Sequence, residues 1–260
     1  MAATGWSAPP QAGFEQEWLP ELDLPGAKSQ RRLTVLLRWL LLIPHFIALF
    51  VLGIVAFVLT VVGWFGALVL GRLPEPCAGF LSGYVAYATR VQASAMLLVD
   101  EYPPFALQAP PEYPVQVWLR PGELNRLAVF FRIILMIPAA VINSLLVGGW
   151  YVLAFITWLI TLVMGRLPQP LWEATAATLR YTMRYNAYAM MVTSAYPKRL
   201  FGDSEPYGQQ EARSASRPLR LGTGGKVLVV LFLLLGLAGN SSSAVFRSDS
   251  SSGSSSVQVY

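Results

Sequence analysis

Residues 45–70, HFIALFVLGIVAFVLTVVGWFGALVL, hold no Asp, Glu, Lys or Arg. About 20 helical apolar residues cross the roughly 30 Å hydrocarbon layer of a bilayer, and this run has about 26. A second charge-free run of the same length fills residues 139–164. The flanks of the two runs are alike as well. Arg32, Arg38, Pro44, Trp64, Gly71-Arg72-Leu73-Pro74, Pro76, Tyr87, Arg90 and Tyr102-Pro103 each return 94 positions later. Their counterparts are Arg126, Arg132, Pro138, Trp158, Gly165-Arg166-Leu167-Pro168, Pro170, Tyr181, Arg184 and Tyr196-Pro197. Aligned without a gap, 32–103 and 126–197 are identical at about 25 of 72 positions, so the chain carries an internal duplication.

Composition agrees with a lipid environment. The chain is 55% hydrophobic and 13% charged, with a mean hydropathy of +0.50, whereas a soluble domain carries roughly 25% charged residues. The fold class expected is an all-α integral membrane protein of two tandem repeats, 31–107 and 112–200. Each repeat reads as an interfacial helix, a transmembrane helix kinked at Pro44 or Pro138, and a second helix. Gly71 and Gly165 suit the left-handed residue that ends a helix, and the prolines after them suit the start of the next. Residues 1–30 are polar and Pro-rich and read as a disordered lead without a cleavable leader, so the first span is expected to act as its own signal.

The second helices, about 77–99 and 171–193, admit two readings. Arg90 in one, and Glu173, Arg180 and Arg184 on one stripe of the other, allow them to lie in the interface. They also allow crossing with the arginine side packed on protein, which is where intramembrane charge is tolerated. Crossing is favoured by charge counting. It puts the lead, the 101–126 connector and the 198–226 linker, which carry most Lys and Arg, on one side, cytoplasmic by the positive-inside rule. A re-entrant hairpin of 33–70 that never emerges is a third arrangement. The alternation of 113–119 and the shorter 20–24 predicts a small surface β-ribbon. Residues 201–226 read as a basic linker, 227–246 as a C-terminal span, and 247–260 as a Ser-rich disordered tail.

Several function classes are excluded or unsupported. The net charge of +5 sits at the ends of apolar segments, which marks topology and headgroup contact and not nucleic-acid binding. Cys77 is the only cysteine and His45 the only histidine, too few donors for a metal site. His45 has no counterpart in the second copy and reads as a local hydrogen-bonding residue. The sequence has no nucleophile elbow, no phosphate-binding loop and no facing carboxylate pair, so no enzyme and no cofactor are expected. Asn143-Ser144 reads as an interhelical polar contact.

Arginines carry what chemistry there is. Arg72, Arg90, Arg166 and Arg184 are the candidate contacts to a lipid headgroup or ligand, since a guanidinium grips phosphate through paired bonds. Arg32, Arg38, Arg126 and Arg132 read as interfacial anchors.

The repeated Arg-Leu-x-Val-x-x-Arg, Ile-Pro-His, Gly-Arg-Leu-Pro and Asp100-Glu101-Tyr102-Pro103-Pro104-Phe105 resemble a bacterial membrane family common in actinobacteria, domain of unknown function 4389. The resemblance covers about 31–107 and 113–200, with Ala139 and Ser194-Ala195 departing from it in the second copy. It implies location and architecture and adds no mechanism. The expected function is a multi-pass cell-membrane scaffold, accessory subunit or lipid-organising module with a cytoplasmic N-terminus. Its expected partners are membrane lipids, other membrane proteins or further copies of itself. The alternative is a small transporter or channel for an anionic or lipid substrate that uses Arg90 and Arg184.

Overall fold

The computed structural model describes residues 18–203, 214 and 216–252, the stretch 240–252 as helical backbone. In chain order the elements are β1 (Glu21–Asp23), α1 (Arg32–Leu70), α2 (Glu75–Ala95), β2 (Gln116–Trp118), α3 (Arg126–Phe130), α4 (Arg132–Met164), α5 (Gln169–Ala189) and α6 (Thr223–Ser252).

The helix stops follow the sequence. Gly71 and Gly165 adopt φ of 70° and 67°, and their amides close the last turns on Ala67 and Thr161. Only glycine takes that left-handed conformation without a steric penalty. Pro74 and Pro168 then open α2 and α5 in extended conformation. The outcome is two antiparallel helical hairpins. In the first, a β-carbon on Gly63 would sit 2.6 Å from Leu73, one on Gly53 would sit 3.1 Å from the Tyr84 hydroxyl, and Arg38 reaches Ser94.

Two details differ from the sequence reading. Residues 31–43 are not a separate interfacial helix, because α1 runs unbroken through Pro44. In the second copy the break falls at Phe131 and not at Pro138, with α3 capped by the Asn125 side chain on the amides of Leu127 and Ala128. A proline costs a helix one hydrogen bond, and neighbouring turns hold both helices through that loss.

α2 and α5 form the centre. Trp172, Leu81, Leu179 and Met183 are among the largest fully buried side chains. α1 and α4 are their opposite: only 11% and 28% of their most apolar windows are buried, and both are long and apolar enough to cross a membrane. Phe50, Phe57, Val69, Ile133, Phe155 and Val163 all point outward. A helix this apolar in a soluble core would be buried.

The two copies grip one another reciprocally. Trp158 donates its indole N–H to the Val35 carbonyl (2.9 Å), and Trp64 does the same to Val129 (3.0 Å). The amide of Gln30 bonds the Gly165 carbonyl, and that of Leu124 bonds Gly71. Ser29 bridges Arg166, and Arg72 bridges Glu123. β1 and β2 pair antiparallel with Leu22 opposite Val117 and Asp23 opposite Gln116, which confirms the ribbon and centres it between the copies. Every contact maps onto its partner by the same 94-residue offset, so the copies are related by a local two-fold. The start of α1 meets the end of α4 and the reverse, which makes the two long helices antiparallel.

The connector is not confined to one end, as the crossing reading required. Leu97 accepts from Gln30 beside Gly165, whereas Leu124 bonds Gly71 at the far end. The lead and linker are also packed where described. Gln30 is buried, and Ser216 bonds the Leu24 amide (2.7 Å) from within the core. α6 begins before and ends after 227–246 and carries 247–252 as helix; residues 1–17, 204–213, 215 and 253–260 lie outside the described residues.

Candidate functional site: the repeated arginines

The eight arginines divide into two sets of four. Arg38, Arg90, Arg132 and Arg184 are buried, with exposures of 1–4%, so the readings of Arg38 and Arg132 as interfacial anchors and of Arg90 and Arg184 as ligand contacts are corrected. Each is held by protein. Arg38 donates to Ser94 (2.9 Å) and Gln30 (3.0 Å) and pairs with Asp100 (3.4 Å). Arg132 donates to the carbonyls of Tyr188 and Thr193 and lies 4.0 Å over the Tyr188 ring. The copies therefore solve one problem differently: the first neutralises its arginine with a carboxylate, the second with carbonyls and an aromatic face.

Arg90 donates to the carbonyls of Ala106 and Leu107. Arg184 donates to Pro20 and Lys198 (both 3.0 Å), and Arg180 pairs with Asp203 (2.8 Å) and bonds the Arg199 carbonyl. A buried polar group left unpaired costs about 1–3 kcal/mol. These arginines answer that demand for irregular backbone that has no ladder of its own. They staple the lead, connector and linker onto α2 and α5.

Arg32, Arg72, Arg126 and Arg166 are exposed. Arg32 reaches the Val163 carbonyl (3.2 Å) at the end of α4, and the Arg126 side chain lies beside Gly71 at the end of α1. Each thus sits where a helix presents unpaired carbonyls and the negative end of its dipole. Arg72 and Arg166 stand directly after those helices. One end of the bundle holds Arg32 and Arg166, the other Arg72 and Arg126.

Asp100 has no counterpart in the second copy and was missed as a site residue. It accepts from Arg31 (2.9 Å) and from the Thr34 hydroxyl. Burial would raise its carboxyl, but the hydrogen bonds from Thr34 and Arg31 and the charge of Arg38 hold it below the ordinary value. The available signal was the Asp100/Ser194 difference beside a repeated arginine.

His45 is fully buried, its Nδ1 2.6 Å from the Tyr87 hydroxyl and its ring stacked on Phe105 at 3.8 Å. In the second copy Ala139 stands in its place, and the Tyr181 hydroxyl is buried with no hydrogen-bond partner among the described residues. Asn143 accepts from Thr182 (2.8 Å), an interhelical bond as read from sequence. Ser144 donates to the Val141 carbonyl of its own helix.

Glu173 does not pair with the arginines of its helix. It accepts from Gln169 and from the Gly222 amide (2.8 Å) at the start of α6. α6 is seated further along by glycines: a β-carbon on Gly149 would fall 1.7 Å from the Phe232 carbonyl, and one on Gly236 2.1 Å from that of Leu145. At the equivalents of Gly148, Gly149 and Glu173 the first copy has Ile54, Val55 and Gly79. Branched side chains there forbid the same backbone approach, so α6 packs on the second copy.

A family model, domain of unknown function 4389 (DUF4389), matches residues 32–106 and 126–200. The chain belongs to this family and carries its domain twice. No curated protein and no solved structure matches the chain. Both DUF4389 copies include the arginines described above, the buried set and the exposed set alike.

Proposed function

We propose that this DUF4389 protein is a non-enzymatic, membrane-embedded module that organises anionic lipid around its rim, with its N-terminus on the cytoplasmic side. The observation that carries the reading is the outward apolar face of α1 and α4, bounded at both ends by exposed arginines. Monomeric soluble proteins rarely expose contiguous apolar patches beyond a few hundred Å². Guanidinium groups at the edge of such a surface meet phosphates at headgroup depth.

The transport reading rests on Arg90 and Arg184, and both are committed to backbone carbonyls. The favoured reading uses instead the four arginines that remain exposed. The test is fractionation followed by lipid analysis. The protein stays in membranes through carbonate washing and co-purifies with anionic phospholipid. Arg32→Gln, Arg72→Gln, Arg126→Gln and Arg166→Gln together lower that retention several-fold. Release by carbonate, or unchanged anionic lipid in the fourfold variant, overturns the proposal.

A further inference from the structure

The geometry points to a module that sits in one leaflet, with α1 and α4 running obliquely to in-plane and both ends of the bundle on the same side of the membrane. It rests on the membrane reading above and goes beyond it by fixing orientation. Three observations carry it.

The first is the path of the connector. It leaves α2 at the end marked by Gln30, Leu97 and Gly165 and reaches the end marked by Gly71 and Leu124. On the way it passes the Arg90 guanidinium and forms β2. Glu101, Gln108, Glu112, Arg120 and Glu123 are exposed along it. If the two ends lay on opposite sides of a bilayer, this irregular, charged strip would traverse hydrocarbon. Lipid-exposed backbone with unpaired polar groups does not occur there, because each such group costs several kcal/mol. With both ends on one side, the strip and the β-ribbon stay in water.

The second is length. Exposed apolar side chains extend along α1 from Leu33 to Leu70. At 1.5 Å per residue that face is about 55 Å long, nearly twice the roughly 30 Å of hydrocarbon that an upright helix needs to match. Only a steep tilt places the whole face in lipid.

The third is charge. Arg32 and Arg166 mark one end, Arg72 and Arg126 the other. An upright bundle divides these four repeated cations two and two between the sides, which weakens the asymmetry that orients membrane proteins. In the one-leaflet arrangement all four face the same anionic surface. The local two-fold axis then stands along the membrane normal, and the two family copies meet the bilayer in equivalent ways.

Sidedness labelling decides it. Single cysteines replace Glu123 at one end, Gln169 at the other and Glu112 between them, in a Cys77→Ser background. A membrane-impermeant maleimide is applied to intact cells and to inverted vesicles. All three sites are expected to label from one and the same side, at least tenfold over the other. Labelling of Glu123→Cys and Gln169→Cys from opposite sides overturns the inference.

A depth measurement stands beside it. Nitroxides at Phe50→Cys, Phe57→Cys and Val69→Cys report similar depths within one leaflet if the inference holds. A profile in which Phe57 lies at the bilayer centre and Val69 at the opposite headgroups overturns it. A protein that resists carbonate yet labels from both sides loses only the orientation; one that washes off loses the membrane reading itself.

Discussion

Gly149 on α4 and Phe232 on α6 meet with no room for a side chain: a β-carbon at Gly149 would stand 1.7 Å from the Phe232 carbonyl oxygen. The contact lies between backbones and leaves no flexible group to move aside. Gly149→Ala is therefore expected to displace α6 and cost about 2 kcal/mol or more, in the manner of an overpacked core. Gly79→Ala is the control, because nothing among the described residues lies within 4 Å of its missing β-carbon. In a helix interior that change gains about 0.5–1 kcal/mol. Thermal unfolding in detergent measures both, and equal shifts for the two variants contradict the packing described.

The two repeated tyrosines respond in opposite ways to loss of their hydroxyls. Tyr87→Phe strands the buried His45 Nδ1 and is expected to destabilise by about 1–3 kcal/mol. Tyr181→Phe removes a buried hydroxyl that has no hydrogen-bond partner among the described residues and is expected to be neutral or mildly stabilising. Denaturation midpoints of the two variants, compared side by side, check the asymmetry.

Asp100 makes stability acid-sensitive in a defined direction. Its folded value lies below the ordinary one, so its contribution is fully present above the unfolded carboxylate value of about 3.9. The contribution is lost as pH falls through the lower folded value. Asp100→Asn is expected to cost about 1.5–3 kcal/mol near neutrality and to flatten the acid limb of the stability profile. An unchanged limb counts against the Arg31–Asp100–Arg38 cluster.

Buried and exposed arginines separate in a paired experiment. Arg184→Met removes the guanidinium that donates to the Pro20 and Lys198 carbonyls and is expected to cost about 2 kcal/mol or more. Its retention of anionic lipid per folded molecule stays at the wild-type level. Arg72→Gln with Arg166→Gln keeps the midpoint within about 0.5 kcal/mol, as surface changes do, and lowers lipid retention. Thermal shift and lipid quantification on the same preparations read out both halves.

Features that depend on neighbours along the chain can be read without the fold. The 94-residue duplication, the charge-free runs, the glycine stops at Gly71 and Gly165, the proline starts of α2 and α5 and the pairing of 20–24 with 113–119 were all legible. Period, φ preference and alternation are local properties, and the family's residues lie within these same stretches. Tertiary structure decided which arginines are buried, that Arg38 takes Asp100 while Arg132 takes carbonyls, that Glu173 caps α6, and that the connector joins both ends of the bundle. Spacing places Arg38 and Arg132 identically and cannot tell them apart from Arg32 and Arg126. For Arg38 and Arg184 the decisive partners include segments more than fifty residues away, Asp100 and Pro20 respectively. Only the packed chain brings them within hydrogen-bonding reach.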